Sequence, residues 1–329
     1  MTNEAVLKLP DFSDIAAAAK RLSGLAHRTP VMRSAYFDEQ TGAKLFFKCE
    51  NFQKVGAFKF RGACNAVSVL HPEEGRCGVV THSSGNHGQA VALAASIKAY
   101  PAVVVMPDNA ARVKVEAVRG YGAEVIFCEP NTPAREAAVD RILSERGGVF
   151  VPPYNHPDVI AGQGTAAKEL LEDCPDLDVV IAPVGGGGLI SGTAIAARHL
   201  APSCRVVAAE PDNADDAARS FRSGQIEPAS ALTTIADGLR TTLGPLTFAV
   251  IQRDVDEVVT VSETAIVSAL RQVWERMKII IEPSCAVPLA AILDGKVDVQ
   301  GARVGVILTG GNVDLDQLAD LFKSHRQMP

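Results

Sequence analysis

Seven short runs rich in β-favouring residues recur along the chain: Gly78–Thr81, Ala102–Met106, Glu124–Phe127, Val179–Pro183, Val206–Ala209, Glu257–Val261 and Val304–Leu308. They are apolar in succession rather than at alternate positions. A strand of that kind needs cover on both faces, which parallel sheets layered with helices provide. Helical stretches fall between and after the runs, over Gln89–Lys98, Ala111–Gly120, Ala134–Glu145, Gly164–Glu172, Gly192–Leu200 and Glu263–Met277. The expected class is therefore α/β. An amphipathic helix over 11–23, stopped by Gly24, and a strand at Leu45–Cys49 precede the regular part. The block 78–152 looks self-contained, and Pro152-Pro153-Tyr154-Asn155 breaks the rhythm after it. We expect a small domain, 78–152, inserted into a larger one built from 1–77 and 153–329. Residues 222–256 lack periodicity and read as loop-rich.

Composition excludes several classes of function. With 329 residues, a net charge of −6 and no basic run, the chain is no candidate for nucleic-acid binding. No apolar run reaches the length of a membrane span, and the polar Thr2-Asn3-Glu4 start is unlike a secretory leader. Seven cysteines are scattered without C-x-x-C spacing, which suits reduced thiols better than disulfides or zinc. A cytoplasmic protein acting on a small molecule is expected.

In α/β folds, ligands collect at the carboxyl ends of strands, and the loops there are unusual. Val55-Gly56-Ala57-Phe58-Lys59-Phe60-Arg61-Gly62-Ala63 places one lysine between aromatic neighbours. Desolvation would lower the Lys59 pKa, Arg61 would add to the effect if its side chain lies close, and a neutral lysine can form a Schiff base. A lysine that merely snorkels over apolar surface is the plainer alternative. His82-Ser83-Ser84-Gly85-Asn86-His87-Gly88 joins a strand to a helix with more polar groups than a cap requires, and suits a carboxylate. Gly185-Gly186-Gly187-Gly188-Leu189 stands between a strand and a helix, where backbone N–H groups can hold a phosphate. With Glu210 about twenty residues on, it imitates a dinucleotide fingerprint, but Ser191 stands where the third glycine belongs. A nicotinamide oxidoreductase stays as the rival, and a non-catalytic binding protein as a third reading. Thr309-Gly310-Gly311-Asn312 is alone no more than a turn signal.

Taken together with Ala161-Gly162-Gln163-Gly164-Thr165, Ile235-Ala236-Asp237-Gly238, Trp274–Lys278 and Ile281-Glu282-Pro283-Ser284, these segments resemble fold type II, the β-family, of pyridoxal-phosphate enzymes. The likeness is to the serine/threonine dehydratase and serine racemase group and runs along nearly the whole chain. It implies a tryptophan synthase β-like architecture, with two parallel or mixed-sheet α/β domains and pyridoxal 5′-phosphate between them. Lys59 would carry the cofactor and later take the α-proton. Phe58 would pack on the ring, Asn86 would meet its 3′-oxygen, and Gly185, Gly186, Gly187, Gly188 and Leu189 would hold the phosphate. Thr309 would face the ring nitrogen, leaving a weaker electron sink than a carboxylate would. Ser83, Ser84, Asn86 and His87 match the substrate-carboxylate loop, and Ser84 matches the acid/base opposite Lys59 in the racemases. Glu210, the Ala214 carbonyl and Asp216 match a site for Mg²⁺, Mn²⁺ or Ca²⁺. Arg135 matches an arginine able to meet a distal carboxylate; on residues alone it is equally a solvated helix arginine.

The form Gly-Ala-Phe-Lys-Phe-Arg-Gly-Ala at 56–63 looks more like bacterial 3-hydroxyaspartate ammonia-lyases than like threonine dehydratases with Ser in place of Ala57. The resemblance thus implies β-elimination from a β-hydroxy amino acid, 3-hydroxyaspartate to oxaloacetate and ammonia. L-serine/L-threonine dehydration and serine racemisation are the alternatives. A homodimer is expected, and no isoleucine feedback, since no regulatory domain follows residue 329.

Overall fold

The first two strands, β1 (Val31–Met32) and β2 (Lys44–Cys49), pair antiparallel, and every later strand pairing is parallel. The remaining strands are β3 (Val79–His82), β4 (Ala102–Pro107), β5 (Glu124–Cys128), β6 (Val149–Phe150), β7 (Val179–Pro183), β8 (Arg205–Pro211), β9 (Glu257–Val261) and β10 (Arg303–Leu308). They form a six-stranded sheet in the order β1-β2-β10-β7-β8-β9 and a four-stranded sheet in the order β5-β4-β3-β6. This computed structural model describes residues 8–229 and 232–325, so the Thr2-Asn3-Glu4 start lies outside the described residues.

Both sheets are covered on both faces. In the larger one, Val179, Ile181, Val207, Ala209, Val304, Val306 and Leu308 face the helices Glu263–Met277 and Pro283–Leu293. Val180, Ala182, Val206, Ala208 and Ile307 face Phe12–Leu22, Pro157–Asp173, Gly188–Leu200 and Pro245–Asp254. Alternate residues thus enter opposite cores, which is why the strands read as continuously apolar. Truncating one of these, such as Ile181→Ala, would cost about 2–5 kcal/mol. In the smaller sheet, Val79, Val104 and Met106 pack with residues of helices Lys59–Ser68 and Asn86–Ile97, while Val80 and Val105 pack on Thr132–Arg146.

One segment departs from expectation. The stretch 222–256 contains the helix Pro245–Asp254, although its sequence has no clear period. Its cap comes from far away: Asn155 Oδ1 accepts from the N–H of Leu246 at 2.9 Å and of Thr247 at 3.4 Å. Local start signals are present too, Pro245 at the first position and Thr247 Oγ1 accepting from the Gly244 N–H at 3.0 Å, but without an apolar period they do not by themselves announce a helix.

Strand order explains where a site can form. β2, β10, β7 and β8 are parallel neighbours, so the segments that follow them emerge on one side of the sheet. Those segments carry Lys59, Thr309, the glycine loop and the stretch after Glu210.

Candidate active site

Lys59 starts its helix from a loop stitched to the one after β10. The Phe58 N–H donates to the Thr309 carbonyl at 2.9 Å, the Gly311 N–H donates to the Gly56 carbonyl at 2.9 Å, and Ala57 bridges Gly310. The turn is strained at Val55, a β-branched residue with φ of 56°. Asn312 Nδ2 holds it by donating to the Val55 carbonyl at 2.7 Å.

The Lys59 amine donates to the Pro153 carbonyl at 3.0 Å and lies 5.1 Å from the centre of the Phe58 ring. Burial lowers its pKa to about 8, against a smaller opposing pull from the charge of Glu282. Arg61 gives none of the expected help. Its guanidinium is fully buried in an ion network, with Nε 2.7 Å from Glu50 and Nη1 2.7 Å from Glu169, which also receives Lys48 at 2.6 Å. Two positions apart at a helix start, Lys59 and Arg61 leave on different sides.

The β3 loop brings Ser83, Ser84, Asn86 and His87 to the start of the helix Asn86–Ile97. Ser83 Oγ accepts from the Gly85 N–H at 3.1 Å, and Ser84 is exposed. His87 is turned inward: Nε2 meets the Val151 carbonyl at 3.0 Å, and Nδ1 is buried without a partner. Burial drives its pKa down to about 3, so the ring is neutral. Asn86 Nδ2 donates to both oxygens of Glu282, at 2.9 and 3.1 Å, and Asn86 Oδ1 accepts from Asn312 at 2.9 Å.

In the glycine loop, no N–H of Gly185 to Gly188 donates to a protein acceptor among the described residues. A Cβ on Gly186 would come within 2.2 Å of the Tyr154 ring, and Gly187 sits at φ of +87°. The loop is thus a bare cradle of donors at a helix N-terminus, walled by Tyr154. The Thr309 hydroxyl is buried, meets no nitrogen or oxygen partner, and has beside it only the weakly bonding Cys285 thiol, which burial keeps neutral. Leu189 is buried in the first turn of the helix that follows the loop.

Glu210, next to last in β8, is buried and accepts from the N–H groups of Ala217 at 3.3 Å and Ala218 at 2.6 Å. Asp216 is buried with Oδ2 unpartnered, and Ala214 closes the short turn between them. Burial raises Glu210 to about 9 and Asp216 to about 6. Among the described residues, no three His, Cys, Asp or Glu side chains gather as a metal shell. Arg135 folds over its own helix start, with Nη2 3.2 Å from Thr132 Oγ1 and Nε 3.4 Å from the Asn131 carbonyl.

The chain belongs to the pyridoxal-phosphate dependent enzyme family, whose model matches residues 22–310. It is 51% identical to a beta-hydroxyaspartate dehydratase of Paracoccus denitrificans, over 94% of this chain and 98% of that protein. It is 46% identical to the L-threo-3-hydroxyaspartate ammonia-lyase of Saccharomyces cerevisiae, over 98% of this chain and 99% of the relative. Among solved structures, serine racemase from Dictyostelium discoideum superposes with a TM-score of 0.88 at 48% identity, covering 93% of this chain and 99% of that one. The expected fold type is thus found, and the nicotinamide alternative falls.

The residues present fit the cofactor. The desolvated lysine meets no carboxylate, the cradle has unused donors, and the buried hydroxyl lacks a partner; an aldehyde, a phosphate and a ring nitrogen would answer these in turn. Glu282, Asn312 and Tyr154 also line the site, with no role that the sequence by itself assigns. An acid between Ile281 and Pro283 in an apolar stretch was the available signal.

Proposed function

We propose that the chain converts 3-hydroxyaspartate to oxaloacetate and ammonia, the water lost in β-elimination being taken up again when the released enamine hydrolyses. The observation that carries this is the buried Lys59 amine, held by a neutral carbonyl at 3.0 Å beside a cradle of unused backbone donors. The names of the two hydroxyaspartate relatives direct the choice of substrate. Bound pyridoxal phosphate supplies an electron sink conjugated to the substrate's Cα.

Each residue then has a task. Lys59 Nζ would be the attachment point of the cofactor, and its amine when free would accept the α-proton. Phe58 would pack against the ring, and the Asn86 amide would meet the 3′-oxygen. The Gly185, Gly186, Gly187, Gly188 and Leu189 N–H groups would hold the phosphate, and the Thr309 hydroxyl would face the ring nitrogen. Ser83, Ser84 and the Asn86 and His87 backbone receive the α-carboxylate; the neutral His87 ring holds the loop to Val151. Arg135, released from Thr132, meets the distal carboxylate. Loss of the α-proton and β-hydroxyl gives an enamine, which after release takes up water and divides into oxaloacetate and ammonia. Glu210, the Ala214 carbonyl and Asp216 bind a divalent cation, which would answer the orphaned Asp216 oxygen. In this reading the smaller sheet belongs to an inserted domain, 78–152, that closes over the larger domain, and the enzyme works as a cytoplasmic homodimer.

Ammonia and 2-oxo acid release should be scored with L- and D-serine, L-threonine and the four 3-hydroxyaspartate isomers. One hydroxyaspartate isomer should lead in kcat/KM. Serine outrunning every one of them would refute the substrate, and serine racemised faster than it is deaminated would move the chain to the racemase alternative.

A further inference from the structure

Pro152-Pro153-Tyr154-Asn155, the stretch that breaks the rhythm of the sequence, runs from the smaller sheet to the glycine loop and passes the Lys59 amine on the way. Its start is held by β3 and the helix after it. The Val151 N–H donates to the Val80 carbonyl at 2.9 Å. The Val151 carbonyl accepts from Thr81 Oγ1 at 2.7 Å and lies 3.0 Å from His87 Nε2. A carbonyl only accepts, so Nε2 carries the proton of that ring. Val151, Thr81 and His87 are all buried, where water does not compete for these bonds.

The far end is held by the loops of the larger sheet. The Tyr154 ring lies against Gly186, a Cβ on Gly188 would come within 3.1 Å of the Tyr154 Cα, and Asn155 Oδ1 caps the helix Pro245–Asp254. Between the two fastenings stand two prolines. Each fixes its own φ at about −65° and confines the residue before it, here Val151 and Pro152, to extended conformations. Neither has an N–H that would need a partner.

The place of the Pro153 carbonyl therefore follows from where Val151 is held, and this carbonyl accepts from Lys59 Nζ at 3.0 Å. Among the described residues it is the only hydrogen-bond partner of that amine. A lysine stem is flexible, and an amine that must reach one carbon atom reacts faster when it is held at one place. A neutral carbonyl holds it without the charge of a carboxylate, which would favour the ammonium and remove the lone pair.

We propose that Val151-Pro152-Pro153 is a stiff strap whose last carbonyl docks the free Lys59 amine, and that Thr81 and His87 are positioning residues that fix this dock through the Val151 carbonyl. This role rests on the assignment of Lys59 as the attachment point of the cofactor. It makes the readiness of the lysine depend on β3, through a segment that ends against the phosphate cradle.

The test separates capture of an aldehyde from binding. Pyridoxal phosphate is mixed with the cofactor-free full chain, and the rise of absorption at ~410–420 nm gives the rate at which the amine adds to the aldehyde carbon and the aldehyde oxygen leaves as water. Pyridoxine phosphate, with an alcohol in place of the aldehyde, gives a Kd for the same cradle with no bond to Lys59. In Thr81→Val and in His87→Phe, each lacking one donor to Val151, capture should slow at least about threefold while the Kd for pyridoxine phosphate stays with the wild type. Thr81→Ser and His87→Gln, which can still donate, should capture at the wild-type rate. Where a donor-less variant does not fold, Pro153→Gly carries the test, since it keeps the carbonyl, loosens the strap and should slow capture in the same way. Capture at the wild-type rate in these variants overturns the proposal. So does a loss of pyridoxine phosphate affinity equal to the loss of rate, which is what a merely structural role would give. A wild type that never develops the band removes the assignment of Lys59 itself, and this role with it.

Discussion

The backbone N–H of Phe58 donates to the carbonyl of Thr309 at 2.9 Å, so the residue before Lys59 and the loop bearing the unpartnered hydroxyl are one rigid body. The amine and the hydroxyl are thereby set at a fixed spacing, as a flat ring attached at one end and met at the other requires.

Thr309→Val keeps the shape of that side chain and removes the hydroxyl. The lost oxygen meets no protein group but the weakly bonding Cys285 thiol, so folding should change by no more than about 1 kcal/mol by urea unfolding. kcat should drop at least about tenfold if the hydroxyl serves the ring nitrogen. Full activity in Thr309→Val would remove that role.

Gly187→Ala tests the phosphate cradle. A methyl group there is placed at φ of +87° and 2.8 Å from Thr247 Cβ. Strain of about 1 kcal/mol or more should deform the loop, and the Kd for pyridoxal phosphate should rise at least about tenfold. Unchanged cofactor retention after dialysis would contradict the assignment.

His87 should govern part of the acid limb of stability. Its pKa is about 3 in the folded chain against 6.5 for the free side chain, so the unfolded state binds the proton first. The stability is complete above pH 6.5 and is lost as pH falls towards 3, on the order of 5 kcal/mol in all. His87→Gln, which can still donate to Val151, should flatten unfolding free energy between these limits. A slope identical to that of the wild type would show that the ring is not buried neutral.

The acids Glu210 and Asp216 are both buried, and Asp216 leaves an oxygen unsatisfied. A chelator should therefore lower Tm by roughly 2–5 °C, with millimolar Mg²⁺, Mn²⁺ or Ca²⁺ restoring it. Asp216→Asn should abolish the response. A Tm indifferent to chelator and to all three cations would dispose of the site.

What the sequence disclosed and what it hid divide along a physical line. The strand–glycine–helix passage at 183–188 is local, and so is the apolar setting of Lys59; both were readable from neighbours in the chain. Thr309 became meaningful only through family resemblance, because its unpaired state depends on what surrounds it in space. Arg61 misled, since adjacency along the chain says nothing of which way a side chain leaves a helix. Glu282 was hidden because its partner Asn86 lies 196 residues away. The helix Pro245–Asp254 was less legible because its apolar residues show no clear period, although Pro245 at its first position is a local start signal and Asn155 completes the cap from afar.

The absorption spectrum of the purified protein, compared with that of Lys59→Ala, tests the central claim most directly. A Schiff base on Lys59 should absorb at ~410–420 nm, and the band should vanish in the variant while free cofactor added back fails to restore it. A wild-type protein without that band, or a band that survives in Lys59→Ala, would contradict the account.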